Sequence, residues 1–138
     1  SELSVKSSEK LNSKNILCNK AKILQASVSD MPFDDNTFDN ITAVETYYFW
    51  PDKENDVKEV FRVLKQGGTV MLLFEMLRTD DDPFKWEKVE NMLNIKSVTP
   101  QEIRSVLESA GFENINTYTK EGTTWLCATA QKPKDDEN

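Results

Sequence analysis

Histidine is absent from the 138 residues, and cysteine occurs only twice, as Cys18 and Cys127. The absence of histidine excludes Ser-His-Asp and Cys-His catalysis, HExxH metalloprotease sites and His-ligated zinc. Two cysteines are too few for a disulfide scaffold, and these two lie too far apart for a CxxC metal site. We therefore expect a reduced, cytoplasmic protein without a bound metal.

Long apolar runs and an excess of positive charge are also missing. No run approaches the roughly 18 apolar residues that a membrane-spanning helix needs. Lys and Arg number 17 against 24 Asp and Glu, a formal net charge of −7. This balance argues against a nucleic-acid or anionic-membrane partner, because both attract positive charge. The length predicts one domain, at residues 1–133, with a charged tail at 134–138; we expect residues 132–138 to be frayed.

The first half of the chain alternates between strand and helix patterns. Short apolar or β-branched runs predict strands at residues 22–26, 40–44 and 69–74. The last of these is continuously apolar, as in a strand that is buried on both faces of a parallel sheet. Helices are predicted at residues 1–14 and 52–65. Gln66-Gly67-Gly68 is expected to stop the second helix, because glycine readily adopts the left-handed conformation of a helix end.

The second half predicts two more helices and a closing pair of strands. Three acids followed by Pro83 predict a helix start, and the helix is expected to run to Leu93 with Trp86, Val89 and Leu93 inward. Thr99-Pro100-Gln101-Glu102 has the pattern of a capping box, and Gly111 is expected to end the helix that follows. Strands at residues 113–118 and 124–130 flank a turn and must be antiparallel. The order predicts a single α/β domain.

Two patterns that suggest ion binding have simpler explanations. Gly67-Gly68 follows a helix and precedes a strand, whereas phosphate-binding loops lead from a strand into a helix. The acids Asp80, Asp81 and Asp82 lack the spaced oxygen ligands of a calcium loop. We interpret the first as a helix stop and the second as a solvated helix start.

A ligand crevice is predicted near the ends of two strands. Glu45 and Glu75 each follow an apolar strand directly, and ligands of open α/β sheets bind beyond the carboxyl ends of the strands. Four aromatic residues, Tyr47-Tyr48-Phe49-Trp50, continue from Glu45. Such a density is typical of a pocket for a small organic ligand. Two alternatives stay open. The two glutamates could be ordinary surface acids, and the four aromatic residues could pack the turn that leads into the helix.

Four segments, taken in order, resemble a known family. Residues 26–39 (ASVSDMPFDDNTFD) and 42–52 (TAVETYYFWPD) are similar to consecutive motifs of class I S-adenosylmethionine-dependent methyltransferases of the small-molecule, methyltransferase-11-like branch. Residues 59–68 (EVFRVLKQGG) resemble its helix-turn-strand motif, which usually has Pro in place of Gln66. Residues 99–112 and 125–133 match its closing helix and final hairpin. The ordered set covers most of the chain.

The resemblance implies the fold and the roles of several residues. It implies a Rossmann-like α/β sheet with flanking helices and a C-terminal antiparallel hairpin, and S-adenosyl-L-methionine as the cofactor. The implied cofactor-binding residues are Ser27, Val28, Val44 and Glu45. Those implied to face a small-molecule acceptor are Tyr47, Tyr48 and Trp50. No catalytic residue is implied, because methyl transfer from a sulfonium needs a positioned acceptor and aromatic walls rather than an acid–base group.

One departure from the family concerns its N-terminal elements. The glycine-rich loop and the acid ending the second strand have no match in this chain, which therefore resembles the C-terminal portion of a methyltransferase lacking the first two strands. We expect it to bind the cofactor weakly or not at all, and to be inactive alone. The family's strand order, 3-2-1-4-5-7-6, would leave the strand at 40–44 with a free edge. We expect residues 22–26 to pair there or remain loose, or two chains to dimerise through the edge.

Two functions of other classes remain open. The first is a methyltransferase-like domain that binds a partner without catalysis, because a fold does not fix a function. The second is a nicotinamide-dependent oxidoreductase, whose later motifs match less well. Methyl transfer after restoration of the upstream residues would distinguish an enzyme from the non-catalytic domain.

Overall fold

A computed structural model describes residues 1–134 as a four-stranded sheet with helices. The helices are α1 (Glu2–Leu11), α2 (Ser13–Leu17), α3 (Lys53–Val63), α4 (Glu87–Leu93) and α5 (Pro100–Ser109), with a 3-10 turn at Tyr47–Phe49. The strands are β1 (Phe38–Val44), β2 (Leu64–Phe74), β3 (Glu113–Thr119) and β4 (Leu126–Gln131). The sheet order is β1-β2-β4-β3. β1 and β2 are parallel, and β4 is antiparallel to both of its neighbours. The predicted α/β class and closing antiparallel pair are confirmed.

The core lies on one face of this sheet. Val70, Leu72 and Phe74 of β2 are buried there with apolar side chains of α3 and α5. On the opposite face Met71 and Leu73 are only partly buried. The prediction that β2 is buried on both faces is therefore wrong, because α3 and α5 cover one side and α1 and α2 bury no residue.

The predicted strand at residues 22–26 is also wrong. Within the described residues this segment pairs with no strand. The pattern alone could not make a strand, because backbone hydrogen bonds from a neighbour are required. The predicted N-terminal helix is confirmed, as α1 and α2, with the Ser1 hydroxyl accepting a hydrogen bond from the Ser4 N–H.

The helix α3 ends earlier than predicted, at Val63 rather than at the glycines. Leu64 is already extended and begins β2, and Gly67, with a φ of 72°, lies in an irregular part of that strand. The Lys132 ammonium donates to the carbonyl oxygens of Phe61 and Leu64. Lys132, which is distant in sequence, therefore donates hydrogen bonds to the carbonyl groups at the end of α3, where a glycine cap was predicted.

The acids before Pro83 do not begin α4. Residues 80–86 form turns, and the helix starts at Glu87. The Trp86 indole N–H donates to the Leu77 carbonyl oxygen, which holds the tryptophan just before the helix. Trp86 and Val89 pack against the core as predicted, but Leu93 is exposed.

The predicted start of α5 is confirmed in detail. The Thr99 hydroxyl accepts from the Glu102 N–H, and the Glu102 carboxylate accepts from the Thr99 N–H. Ile103 and Leu107 are fully buried, and Gly111 follows the helix with a φ of 99°.

The predicted fraying is wrong at its first residue, because Lys132 is buried and hydrogen-bonded. Most of the predicted tail, residues 135–138, lies outside the described part of the chain. Among residues 1–134, none of the helices has both the length and the apolar character to cross a bilayer.

Candidate functional site

An apolar groove runs beside β1, where three predicted site residues meet. Val28, Val44 and Trp50 line a groove of about 240 Å³ together with core residues of β1, β2 and α3. Thr46, which the sequence did not indicate, also lines it. The structure therefore brings together two predicted cofactor residues and one predicted substrate residue.

The loop that carries Val28 is fastened to α3. The Glu59 carboxylate accepts from the Met31 N–H at 2.9 Å. The Arg62 guanidinium donates to the carbonyl oxygens of Met31 and Phe33, at 3.2 and 2.8 Å, and to Asp35 at 2.8 Å. Arg62 and Glu59 also form an ion pair, which lowers the pKa of the Glu59 carboxyl to about 2. One turn of α3 thus fixes one wall of the groove.

Ser27 directly precedes the groove residue Val28 in the sequence, but its side chain is exposed. Its hydroxyl accepts from the Ser29 N–H at 3.2 Å, within a turn closed by a bridge between Ser27 and Asp30. The hydroxyl is thereby engaged locally and does not line the groove.

Glu45 stands at the carboxyl end of β1 in a left-handed backbone conformation, with a φ of 57°. Its N–H donates to the Leu73 carbonyl oxygen at 3.0 Å, which ties this bend to β2. Its Oε1 atom is buried and has no hydrogen-bond partner within the described residues. Burial raises the pKa of this carboxyl, a hydrogen bond from the Glu75 backbone lowers it in part, and the charge of Glu75 raises it further. The Oε1 atom therefore lacks a donor, which a ligand could provide.

Tyr48 and Tyr47 are buried rather than open to the groove. Both rings pack edge-on against Phe74, with centroids 5.8 and 5.5 Å away. The Tyr48 hydroxyl accepts from the N–H groups of Glu75 and Met76, at 3.1 and 2.9 Å. Burial and the charges of Glu45 and Glu75 raise the pKa of Tyr48 to about 12. These contacts favour the packing interpretation of the two tyrosines, whereas Trp50 is half-buried and Phe49 is exposed.

The described residues contain no group of three or more Cys, Asp or Glu side chains placed to hold a metal ion. One contact that shapes the site was not predicted from the sequence: the Glu59–Arg62 pair, which holds the loop that carries Val28. The Glu-x-x-Arg spacing on α3 was visible as a helical ion pair, but nothing local indicated that its partners lie at Met31 and Phe33.

The family model for the methyltransferase domain matches residues 1–72, just over half of the chain. The chain belongs to the methyltransferase domain family. The family match and the relatives described below place the chain among the class I S-adenosylmethionine-dependent methyltransferases.

Two curated methyltransferases are similar to this chain in sequence. An uncharacterized methyltransferase of Bacillus subtilis, YdaC, is 29% identical over 126 residues, which cover 90% of this chain and 64% of the relative. The ubiquinone/menaquinone biosynthesis C-methyltransferase UbiE of Cronobacter sakazakii is 32% identical over 136 residues, covering 83% of this chain and 54% of the relative. The chain thus spans between half and two thirds of the length of these relatives.

The fold is shared with a solved methyltransferase from Thermotoga maritima, described as a possible histamine N-methyltransferase. The TM-score is 0.69 at 20% identity, over 84% of this chain and 66% of that one. The predicted Rossmann-like methyltransferase fold is confirmed, and the observed strand order corresponds to the last four strands of the family's order.

The residues of the site fit part of S-adenosylmethionine. The apolar wall at Val28 suits an adenine ring, and the apolar Val44 with the unpaired Glu45 Oε1 suits the methionine end and its ammonium group. The groove, at about 240 Å³, is smaller than the roughly 300–1,000 Å³ usual for whole small-molecule sites. The described residues therefore fit the adenine and the ammonium rather than the entire cofactor.

Proposed function

We propose that this chain supplies the acceptor side and part of the cofactor side of an S-adenosylmethionine-dependent methyltransferase that acts on a small molecule. The observation that carries the proposal is the meeting of Val28, Val44 and Trp50 in one groove, with the unpaired Oε1 atom of Glu45 at the end of β1. The groove lies beside β1, and Glu45 stands at the carboxyl end of that strand, where ligands of α/β sheets bind.

Each residue has a proposed role that follows from its surroundings. Val28 packs against adenine, and Ser27 places its backbone beside that ring while its hydroxyl closes the turn. Val44 and Glu45 lie beside the methionine end, where Glu45 accepts a hydrogen bond from the ammonium. Trp50 forms an aromatic wall for the acceptor, and the tyrosines at 47 and 48 hold the chain between Glu45 and Trp50 in place.

The bound sulfonium supplies an electrophilic methyl group. Attack on it is an in-line displacement, so the protein's task is to align the acceptor and exclude water. An aromatic face such as that of Trp50 also attracts a cationic centre. This role needs no titrating side chain, in keeping with a groove whose walls are apolar.

We further propose that the chain alone binds the cofactor weakly and does not turn over. The groove is too small for the whole cofactor, and the sequence has no glycine-rich loop to hold the methionine and ribose. The small-molecule acceptor is proposed from the relatives' names, which include ubiquinone/menaquinone biosynthesis.

A non-catalytic, partner-binding domain is the second candidate, and the open face of the sheet favours it. Val44 and Tyr118 are about half exposed there, at 49% and 56%, beside the partly buried Leu73. Apolar surface of this kind is typical of interaction sites.

The deciding experiment joins the upstream segment of UbiE to Ser1 and measures methyl transfer to small acceptors. The enzymatic proposal predicts turnover, and the partner-binding candidate predicts none. In this chimera Trp50→Ala should raise KM for the acceptor far more than Kd for S-adenosylhomocysteine. Phe49→Ala, at an exposed neighbouring ring, is the matched control and should change neither. An equal loss of acceptor use and cofactor affinity in Trp50→Ala would contradict the assigned role.

A further inference from the structure

A cleft of about 640 Å³ opens between two loops at one end of the sheet. One wall is the segment after β2, with Leu77 and Lys85, and the other is the segment before β4, with Thr124 and Trp125. The volume lies within the roughly 300–1,000 Å³ usual for small-molecule sites. The cleft shares no lining residue with the groove beside β1, which is less than half as large. It is therefore a separate candidate site.

The two walls are fixed by contacts made within residues 77–125. The Leu77 N–H donates to the Thr124 carbonyl oxygen at 3.0 Å, which joins the walls directly. The Leu77 carbonyl oxygen accepts from the Trp86 indole N–H at 2.9 Å. The Arg78 N–H donates to the Val98 carbonyl oxygen at 2.7 Å. The cleft is thus built from residues that follow β2, without a contribution from the N-terminal segments.

The cleft lies at the end of the sheet where Glu45 stands. Glu45 follows the carboxyl end of β1, and the cleft follows the carboxyl end of the parallel strand β2. Phe74, the last residue of β2, pairs with Leu126, the first residue of β4. Because neighbouring strands are about 4.8 Å apart, a cleft between the ends of β2 and β4 lies within roughly 10 Å of the end of β1 across the sheet. One small molecule can span that distance.

The cleft presents an aromatic face and free hydrogen-bond donors. The Trp125 side chain is half exposed. Among residues 1–134, neither its indole N–H nor the Thr124 hydroxyl has a hydrogen-bond partner. The Lys85 ammonium lies 6.0 Å from the centroid of the Trp86 ring and forms no salt bridge within the same residues. An indole face suits a planar ring, and such donors suit an anionic oxygen group.

Asp81 is the acid among the described residues that line the cleft, and it is already engaged. Hydrogen bonds from the Thr79 hydroxyl and from its own backbone N–H lower the pKa of the Asp81 carboxyl. Partial desolvation opposes them, and the charge of Lys85 lowers this pKa further. Asp81 is thereby partly satisfied, whereas Lys85 has no hydrogen-bonded acceptor. A single lysine in a chain of net charge −7 suits a monoanion such as a carboxylate better than a dianionic phosphate.

We propose that this cleft binds the methyl acceptor, and that the acceptor is a planar aromatic compound with a carboxylate. The ring stacks on the Trp125 indole above the apolar Leu77, and the carboxylate pairs with the Lys85 ammonium. The rest of the molecule extends towards the carboxyl end of β1. That the bound compound is the acceptor rests on the proposed function, whereas its binding in the cleft does not.

Naphthalene-2-carboxylate is a probe with both proposed features. A nuclear magnetic resonance titration of the ¹⁵N-labelled chain should give a Kd of about 1 mM, as expected for a compound of roughly 13 non-hydrogen atoms. Shift changes should be concentrated at the Trp125 indole and at the amides of residues 122–124. Naphthalene-2-carboxamide lacks the charge, and decahydronaphthalene-2-carboxylate lacks the aromatic rings. Each should bind about fivefold or more weakly.

Two variants test the named side chains. Lys85→Met keeps the bulk of the lysine without its charge, and it should weaken binding of the carboxylate about fivefold or more but leave the carboxamide unchanged. Lys88→Met is the matched control, because Lys88 is also exposed and does not line the cleft. Trp125→Leu should weaken both naphthalene probes, whereas Tyr118→Leu, at an exposed ring outside the cleft, should weaken neither. Thermal unfolding checks that all four variants are folded.

The outcomes separate this proposal from the proposed function. Equal affinity for the carboxylate and the carboxamide overturns it, as does an equal loss in Lys85→Met and Lys88→Met. A UbiE chimera that methylates acceptors without a carboxylate as readily as those with one also overturns it, and leaves the proposed function standing. A chimera that transfers no methyl group, although the probe binds in a Lys85-dependent manner, supports the binding site in the cleft and overturns the assignment of its ligand as the acceptor.

Discussion

The Met31 N–H donates to the Glu59 carboxylate at 2.9 Å, and this bond joins the loop of the groove to the middle of α3. Arg62, one turn further on, donates to the Met31 carbonyl oxygen and to Glu59 itself. The N–H and the carbonyl oxygen of Met31 are thus both hydrogen-bonded to side chains of α3, and Glu59 lies 28 positions after Met31 in the sequence. Val28, three residues before Met31, owes its position in the groove to this attachment.

Glu59→Gln should destabilise the protein at neutral pH, by about 1–3 kcal/mol for a charge-assisted hydrogen bond. The pKa of Glu59 in the folded protein is about 2, below the ordinary 4.5. The carboxylate therefore stabilises the fold fully above pH 4.5, and this contribution is lost as the pH falls towards 2. Urea unfolding between pH 7 and pH 2 measures it. The variant and the unsubstituted chain should converge at low pH, with Glu108→Gln, at an exposed acid, as control. A difference that stays constant with pH would rule out this linkage.

Lys132→Met should cost about 2–3 kcal/mol, because buried carbonyl oxygens lose their donor. The ammonium donates to Asn36 Oδ1 and to the carbonyl oxygens of Phe61 and Leu64, at 2.9, 2.8 and 2.8 Å. Methionine preserves the bulk of the side chain, so packing against Phe61 changes little. Lys134→Met, at an exposed neighbouring lysine, is the matched control. Equal stability of the two variants in chemical denaturation would show that the contacts of Lys132 contribute nothing.

Tyr48→Phe removes the acceptor of two backbone N–H groups, those of Glu75 and Met76. Leaving these groups unpaired should cost about 1–3 kcal/mol. The change should also speed amide hydrogen exchange at Met76. Tyr47→Phe is the control, because Tyr47 packs on the same Phe74 ring, whereas the N–H groups of Glu75 and Met76 donate to Tyr48. If exchange at Met76 is as slow in Tyr48→Phe as in the control, the hydroxyl has no such role.

Thr99→Ala should cost about 1 kcal/mol through loss of the helix cap. The hydroxyl accepts from the Glu102 N–H at 3.2 Å. Thr99→Ser keeps this oxygen and should retain most of the stability. A loss in Thr99→Ser as large as in Thr99→Ala would assign the effect to the methyl group instead.

Elements specified by neighbouring residues were predictable from the sequence. The capping box of α5 and the helix α3 each depend on residues within a few positions of one another, and both were confirmed. Residues 22–26 show the limit, because their strand pattern had no partner. The start of α4 shows a second limit of prediction from the sequence. The helix begins at Glu87 rather than at Pro83, because residues 80–86 form turns and the Trp86 indole is hydrogen-bonded to Leu77.

The candidate groove lies where the sequence predicted a ligand crevice, but the contacts that build the groove could not be predicted. Strand order indicated the region around Glu45 and Trp50, and the structure brings Val28 and Val44 to the same groove as Trp50. The attachments of Met31 to Glu59 and of Lys132 to Phe61 join residues 28 and 71 positions apart. Local patterns hold no information about such pairs. The burial of Tyr47 and Tyr48 followed from packing on Phe74, which a run of aromatics alone could not distinguish from a pocket.

The most direct test of the account is a nuclear magnetic resonance titration of the ¹⁵N-labelled chain with S-adenosylhomocysteine. We predict weak, millimolar binding, with chemical-shift changes concentrated at the amides of Val28, Val44 and Glu45 and at the Trp50 indole. Shift changes elsewhere, or none at these four groups at saturating ligand, would contradict the assigned cofactor site. Micromolar affinity would contradict the proposal that this chain holds only part of it.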